Sequence, residues 1–207
     1  MRSALSLLIL LAVFTFGCAQ VPLDISRFEP VIDQPSLKIA TIKNEPFVIY
    51  EDPDYRIAAG LYEYNQVFAL SLEIANNTGD DLLPADYSVS LVDGRDLKPI
   101  KIFTRQDLMA AKAKLSGTGS SGALQDQLIQ ATIDTIMNTT NSPTKQKLIG
   151  IIEKGIDEYF AFRTIYAGDK RSGAICFLPD FKLEYPVTLT VKVKGKPIAF
   201  RFNPPKK

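Results

Sequence analysis

From Val67 to Ala75 the chain alternates without a break: Phe68, Leu70, Leu72 and Ile74 fall on one side, Val67, Ala69, Ser71 and Glu73 on the other. A helix would scatter those four large residues around its circumference, whereas a strand gathers them on one face, because successive strand side chains point to opposite sides. The run therefore predicts a strand with one face in a core and one face of a different character. It ends in Asn76-Asn77-Thr78-Gly79-Asp80-Asp81, where Asn and Gly supply positive φ and Asp bonds back to the backbone, so a turn follows.

The same period recurs on either side. Leu37 to Ile42 and Phe47 to Tyr50 read as strands before the long run. After it, Tyr87, Val89 and Leu91 alternate with Ser88, Ser90 and Val92, and Asp93-Gly94 gives a two-residue turn signal ahead of a return strand near Lys98 to Phe103. Towards the C-terminus, strands are expected over Phe162 to Tyr166, Ala174 to Leu178, Val187 to Val193 and Ile198 to Phe202. Ala167 to Gly173 reads as a polar loop, and Lys194-Gly195-Lys196 joins the last pair.

Between residues 104 and 160 the period changes. Thr104 with Asp107 three residues on has the form of a capping box ahead of Leu108, Ala111 and Leu115. Leu124, Leu128, Ile129, Thr132, Ile133 and Ile136 recur at helical spacing. Ser142 and Pro143 then open another helix carrying Leu148, Ile152, Ile156 and Tyr159 on one face, with Ile149 and Ile151 beside them. The apolar surface is wider than one stripe, and packing on the sheet or between helices is the simplest way to bury it. Altogether, about eight or nine short strands around one helical interruption predict a mainly β fold: an antiparallel β-sandwich with an inserted helical hairpin.

The N-terminus carries an address. Arg2 precedes an apolar stretch from Ala4 to Phe16, and Gly17-Cys18 closes it. A positive end, an apolar middle and a small residue before the cut are the three zones of an export signal. Leu5 to Phe16 falls short of the ~20 apolar residues that cross a bilayer. In Gly17 and Cys18 the segment resembles the lipobox of bacterial lipoproteins, a resemblance that implies a lipid on Cys18, removal of residues 1–17 and residence in the cell envelope. Ala19 in place of Asp implies the outer membrane in enterobacterial-type proteins. An ordinary signal cut near Ala19-Gln20 is the competing reading. The strand ending at Asn76-Asn77-Thr78-Gly79, the Asp93-Gly94 hairpin and the passage from Ala167-Gly168 through Gly173 to Phe177 look like the immunoglobulin-like domains of uncharacterised bacterial lipoproteins, mostly binding or assembly modules. The expected organisation is a signal over 1–17, a tether over 18–36 carrying Pro22, Pro30 and Pro35, and a sandwich over 37–207 with its insertion at about 104–160.

Charge and composition narrow the function. There are 24 basic and 23 acidic residues, and loss of Arg2 with the signal makes them equal, so no excess of cations exists to neutralise phosphates and nucleic acid is not an expected partner. The chain has no histidine, which removes the commonest general base and zinc ligand. Once Cys18 is acylated, Cys176 is the only other cysteine; in an apolar strand without a histidine partner it reads as a buried, inert thiol. Gly117 to Gly122 spells G-x-G-x-x-G, but a helix and not a strand precedes it, so a flexible linker fits better than a dinucleotide site. Glu51, Asp52 and Asp54, and separately Asp80, Asp81 and Asp86, read as solvated turn residues whose spacing matches no calcium loop.

No catalytic residue, metal site or cofactor is expected. The function expected is a non-enzymatic binding or assembly module of the envelope, joined to the membrane through lipidated Cys18 and to an envelope protein as partner. The alternatives are a small-ligand carrier with a pocket between sheet and helices, and a glycan hydrolase using carboxylates such as Asp52, Asp54 or Asp86.

Overall fold

The computed structural model describes residues 25–42, 45–64, 67–95, 97, 99–117, 142–177 and 185–205. The signal, Cys18, most of the Gly117–Gly122 stretch and the helix expected over Leu124 to Thr139 lie outside the described residues.

Two antiparallel sheets form the body. Sheet A runs in the order β3 (Leu37–Ile42), β4 (Glu45–Glu51), β5 (Tyr55–Tyr64), β6 (Val67–Asn76), β9 (Lys170–Phe177), and β1 (Ile25–Arg27) pairs with the far end of β5. Sheet B runs β2 (Glu29–Val31), β11 (Lys196–Asn203), β10 (Val187–Val193), β7 (Tyr87–Asp93), β8 (Pro99–Ile100). The protein is an antiparallel β-sandwich with a helical insertion.

Its core is the set of rows that alternation turns inward. Phe68, Leu70, Leu72 and Ile74 of β6 meet Val89 and Leu91 of β7, Val187, Leu189 and Val191 of β10, and Phe200 and Phe202 of β11 in one buried cluster. The register follows the pleat: Leu72 lies opposite Ala59, Leu70 opposite Leu61 and Ile175. At one end Tyr87 packs against Phe160 and Phe162, and its hydroxyl donates to the Arg163 carbonyl at 2.6 Å.

The insertion packs on the opposite face of sheet A. Helix α1 (Arg105–Leu115) starts at Thr104, whose hydroxyl accepts from the Asp107 N–H while the Asp107 carboxylate accepts from the Thr104 N–H. It ends at Gly117, whose positive φ of 73° suits a C-terminal glycine. Helix α2 (Ser142–Asp157) packs on it, with Lys112 and Glu153 paired at 2.8 Å. Leu108, Ala111 and Leu115 of α1 and Leu148, Ile151 and Ile152 of α2 form a second buried cluster with Val67 and Cys176 of the sheet.

Several sequence expectations are corrected here. Tyr55–Tyr64 is a ten-residue strand at the centre of sheet A that the pattern did not announce. The stretch 25–36, read as tether, holds β1 and β2, and Phe28 between them is buried in the core. Phe162 to Tyr166 is not a strand: Ile165 bridges to Leu82, and β9 begins earlier, at Lys170. The Asp93-Gly94 pair opens a longer connection, because Leu91 pairs with Ile100 and Val92 with Pro99. Gly94 is required for another reason, since a Cβ there would strike the Pro186 carbonyl oxygen, which accepts the Gly94 N–H. At the other hairpin Lys194 and Gly195 have φ of 44° and 85°, the two positive values that a tight turn between twisted strands demands.

Candidate functional site

Two surfaces of sheet A are set up by this architecture. The first is a cleft of about 150 Å³ between α2 and the outer faces of β6 and β9. Alternation places Ala69 and Ser71 of β6 and Ala174 of β9 outward, side by side, since Ala69 pairs with Cys176 and Ser71 with Ala174. These short side chains form a floor. Tyr62, Ile151 and Cys176 make the walls, and Glu45, Lys154 and Glu158 stand at the rim. The helix lies close on the sheet at Gly155, where an added Cβ would lie 2.7 Å from the Cys176 sulfur. The glycine thus lets α2 sit low at one point and leaves the cleft beside it.

Cys176 occupies the apolar environment that the sequence predicts. It is buried, and burial pushes its thiol up to about 12, so it is neutral and unreactive at ordinary pH. Glu45 is engaged by Arg27 at 3.8 Å. Among the described residues no group of three or more metal-ligating side chains comes together.

The second surface is the free edge of β3. Among the described residues β3 pairs only with β4. The opposite edge of the same sheet is covered: Phe160 and Phe103 donate to the Ala174 and Cys176 carbonyls, and Ala174 donates to Glu158. Both edges of sheet B are short, three residues at β2 and two at β8. So β3 is the longest open edge among the described residues, six residues that include Ile39, 52 % exposed. Open edges present unpaired N–H and C=O groups to any extended chain that approaches.

The acidic residues singled out in the sequence serve other ends. Asp52 accepts from the Tyr50 hydroxyl at 2.6 Å, from Lys196 at 2.9 Å and from the backbone N–H groups of Asp54 and Tyr55. Lys196 also donates to Tyr50 at 2.6 Å. Burial works to raise the Asp52 pKa, but the hydrogen bonds from Tyr50, Lys196 and the two backbone groups outweigh it and bring it down to about 2. This cluster ties the β4–β5 corner of sheet A to the β10–β11 hairpin of sheet B. Asp86 accepts from the Leu83 N–H, and Asp81 from the Ala167 N–H. The carboxylates of the cleft are Glu45 and Glu158, which nothing in the local sequence picks out; only the pairing of β4 in sheet A and the position of α2 bring them together.

Asn76 is a further buried polar residue with a structural post. Its side-chain amide donates to the carbonyls of Asp80 and Ile165, and its oxygen accepts from Thr78, stitching the end of β6 to the loop before β9.

No protein-family model matches the chain, and no curated protein matches it in sequence.

Proposed function

We propose that the protein is a lipid-anchored module of the cell envelope that binds or assembles with another envelope protein and catalyses no reaction. Acyl chains on Cys18 hold it to a membrane, the outer one because Ala19 stands where Asp would retain it, with the sandwich facing the periplasm. The observation that carries the binding role is the open β3 edge. A partner that lends an extended segment gains main-chain hydrogen bonds along six residues, and an apolar side chain of that segment covers Ile39, the recognition mode of strand addition.

A photo-reactive residue in place of Thr41, which is exposed on β3, tests this in intact cells. One reproducible cross-linked envelope protein is expected, and the cross-link falls at least several-fold when Ile39→Asp puts a charge beside the edge. A set of neighbours that Ile39→Asp leaves unchanged would overturn the reading. The anchor is checked separately: radioactive palmitate labels the wild-type chain and not Cys18→Ala.

A further inference from the structure

The cleft under α2 is a separate site from the β3 edge, and either can fail without the other. Its volume, about 150 Å³, lies below the range of drug-sized sites and is of the order that accepts one benzene-sized guest in an apolar cavity. Ile151, Cys176, Ala69 and Ala174 line it with carbon and sulfur, and Tyr62 stands beside them. Burial keeps the Cys176 thiol protonated, so that wall offers no charge.

Of the floor residues Ala69, Ser71 and Ala174, Ser71 carries the polar side chain. Ser71 faces outward because Leu70 and Leu72 on either side of it face the core. It also borders the shallower hollow formed by Asp157, Glu158, Tyr159, Ser172 and Gly173, so its hydroxyl stands where the apolar cleft opens to water. Among the described lining residues the charges are Glu45, Lys154 and Glu158; Arg27, outside the lining, pairs with Glu45 at 3.8 Å, which leaves Lys154 to offset Glu158. A balanced rim draws in neither anions nor cations, and an apolar interior penalises any unpaired charge carried into it.

We propose that this cleft binds a small net-neutral amphiphile: an apolar body no larger than one ring, with a single uncharged hydrogen-bonding group placed at Ser71. The apolar body lies between Tyr62 and Ile151 over Ala69, and the polar end points to the hollow.

Phenol is the probe, with benzene, benzoate and benzylamine as comparators, titrated into the isolated full-length chain carrying ¹³C-labelled isoleucine methyl groups. The Ile151 methyl signal is expected to shift saturably with phenol. Benzene should bind about fivefold more weakly for want of one neutral hydrogen bond, and the two charged compounds more weakly still. Ala69→Leu, which fills the floor, should abolish the saturable shift. Ser71→Ala, a milder change, should keep ring binding but erase the preference of phenol over benzene. The proposal is overturned if phenol gives no saturable shift at Ile151, if Ala69→Leu folds and leaves the shift intact, or if Ser71→Ala retains the full phenol preference.

Discussion

The two faces of sheet A are made by the same strands and have opposite tasks. On β6 the inward row is Phe68, Leu70, Leu72 and Ile74, every one almost wholly buried, while the outward row of Ala69, Ser71 and Glu73 is half-buried. Sheet B covers the inner face over β4, β5, β6 and β9. The outer face is covered by helices at the Val67 and Cys176 end and leaves small residues facing a cleft next to it. Large residues where packing is complete and small ones beside the cleft imply that along β6 the inner row carries more of the stability than the outer row. The backbone is shared, so residues adjacent in sequence should respond to substitution in unlike ways.

The sharpest break between the faces is a pair of neighbours. Leu72→Ala empties a site with full contact on all sides and should cost about 2–5 kcal/mol, whereas Ser71→Ala, one residue away, should stay within about 0.5 kcal/mol. Urea denaturation of both variants checks this; equal losses would mean that the outer face carries as much of the fold as the inner.

Next in size is Gly173, which pairs with Leu72 on the inner face. No side chain is present there because the backbone of Phe160 occupies the space: an added Cβ would lie 2.7 Å from the Phe160 Cα and 2.8 Å from the Glu158 carbonyl oxygen. Backbone cannot swing aside as a side chain would, so Gly173→Ala should cost about 1–3 kcal/mol. A neutral result would show that the segment after α2 moves freely over β9.

The outlines of this contrast are written in the residues themselves, since strict alternation over Val67 to Ala75 announces two unlike faces, and the Thr104 cap, the Lys194-Gly195 turn and the buried Cys176 follow from local chemistry. What stays hidden is set by distant neighbours. The strand Tyr55–Tyr64 is masked by Ala58-Ala59-Gly60, residues poor in strand propensity; Gly60 is small because Phe47 and Tyr62 close over it, a Cβ there lying 2.8 Å from the Tyr62 hydroxyl and 3.3 Å from the Phe47 ring. Lys170 to Gly173 is polar and still pairs, Lys170 reaching Glu73 at 3.2 Å and Glu73 reaching Arg56 at 2.7 Å across the outer face. The cleft arises from β6, β9 and α2, three segments that only the folded chain brings together. Cys18 and the lipid expected there lie outside the described residues.

Between the two sheets the pin at Asp52 gives a smaller, pH-dependent effect. Its folded pKa of about 2 lies below the ordinary 3.8, so its contribution is complete above about pH 4 and disappears as pH falls through 2. Solvent at the end of the sandwich screens it to about 1 kcal/mol. Asp52→Asn should lower the urea midpoint at pH 6 and fall less steeply than the wild type between pH 4 and pH 2. Parallel acid limbs would mean that the two sheets do not depend on this carboxylate.

The smallest expected effect has the opposite sign and falls on the outer side. Gly150 lies within α2 at the cleft border, exposed, and an added Cβ would meet nothing within 4 Å. A helix-interior glycine costs about 0.5–1 kcal/mol relative to alanine through the freedom it gives the unfolded chain. Among the described residues no packing contact requires it, in contrast to Gly155 five residues on, where the Cys176 sulfur occupies the space. Gly150→Ala should therefore raise stability by about 0.5–1 kcal/mol, and Gly155→Ala should lower it. If both changes destabilise, α2 is packed along its whole length and the outer face is bound into the fold as tightly as the inner one; if only the second does, the border of the cleft is free of the constraints that fix the core.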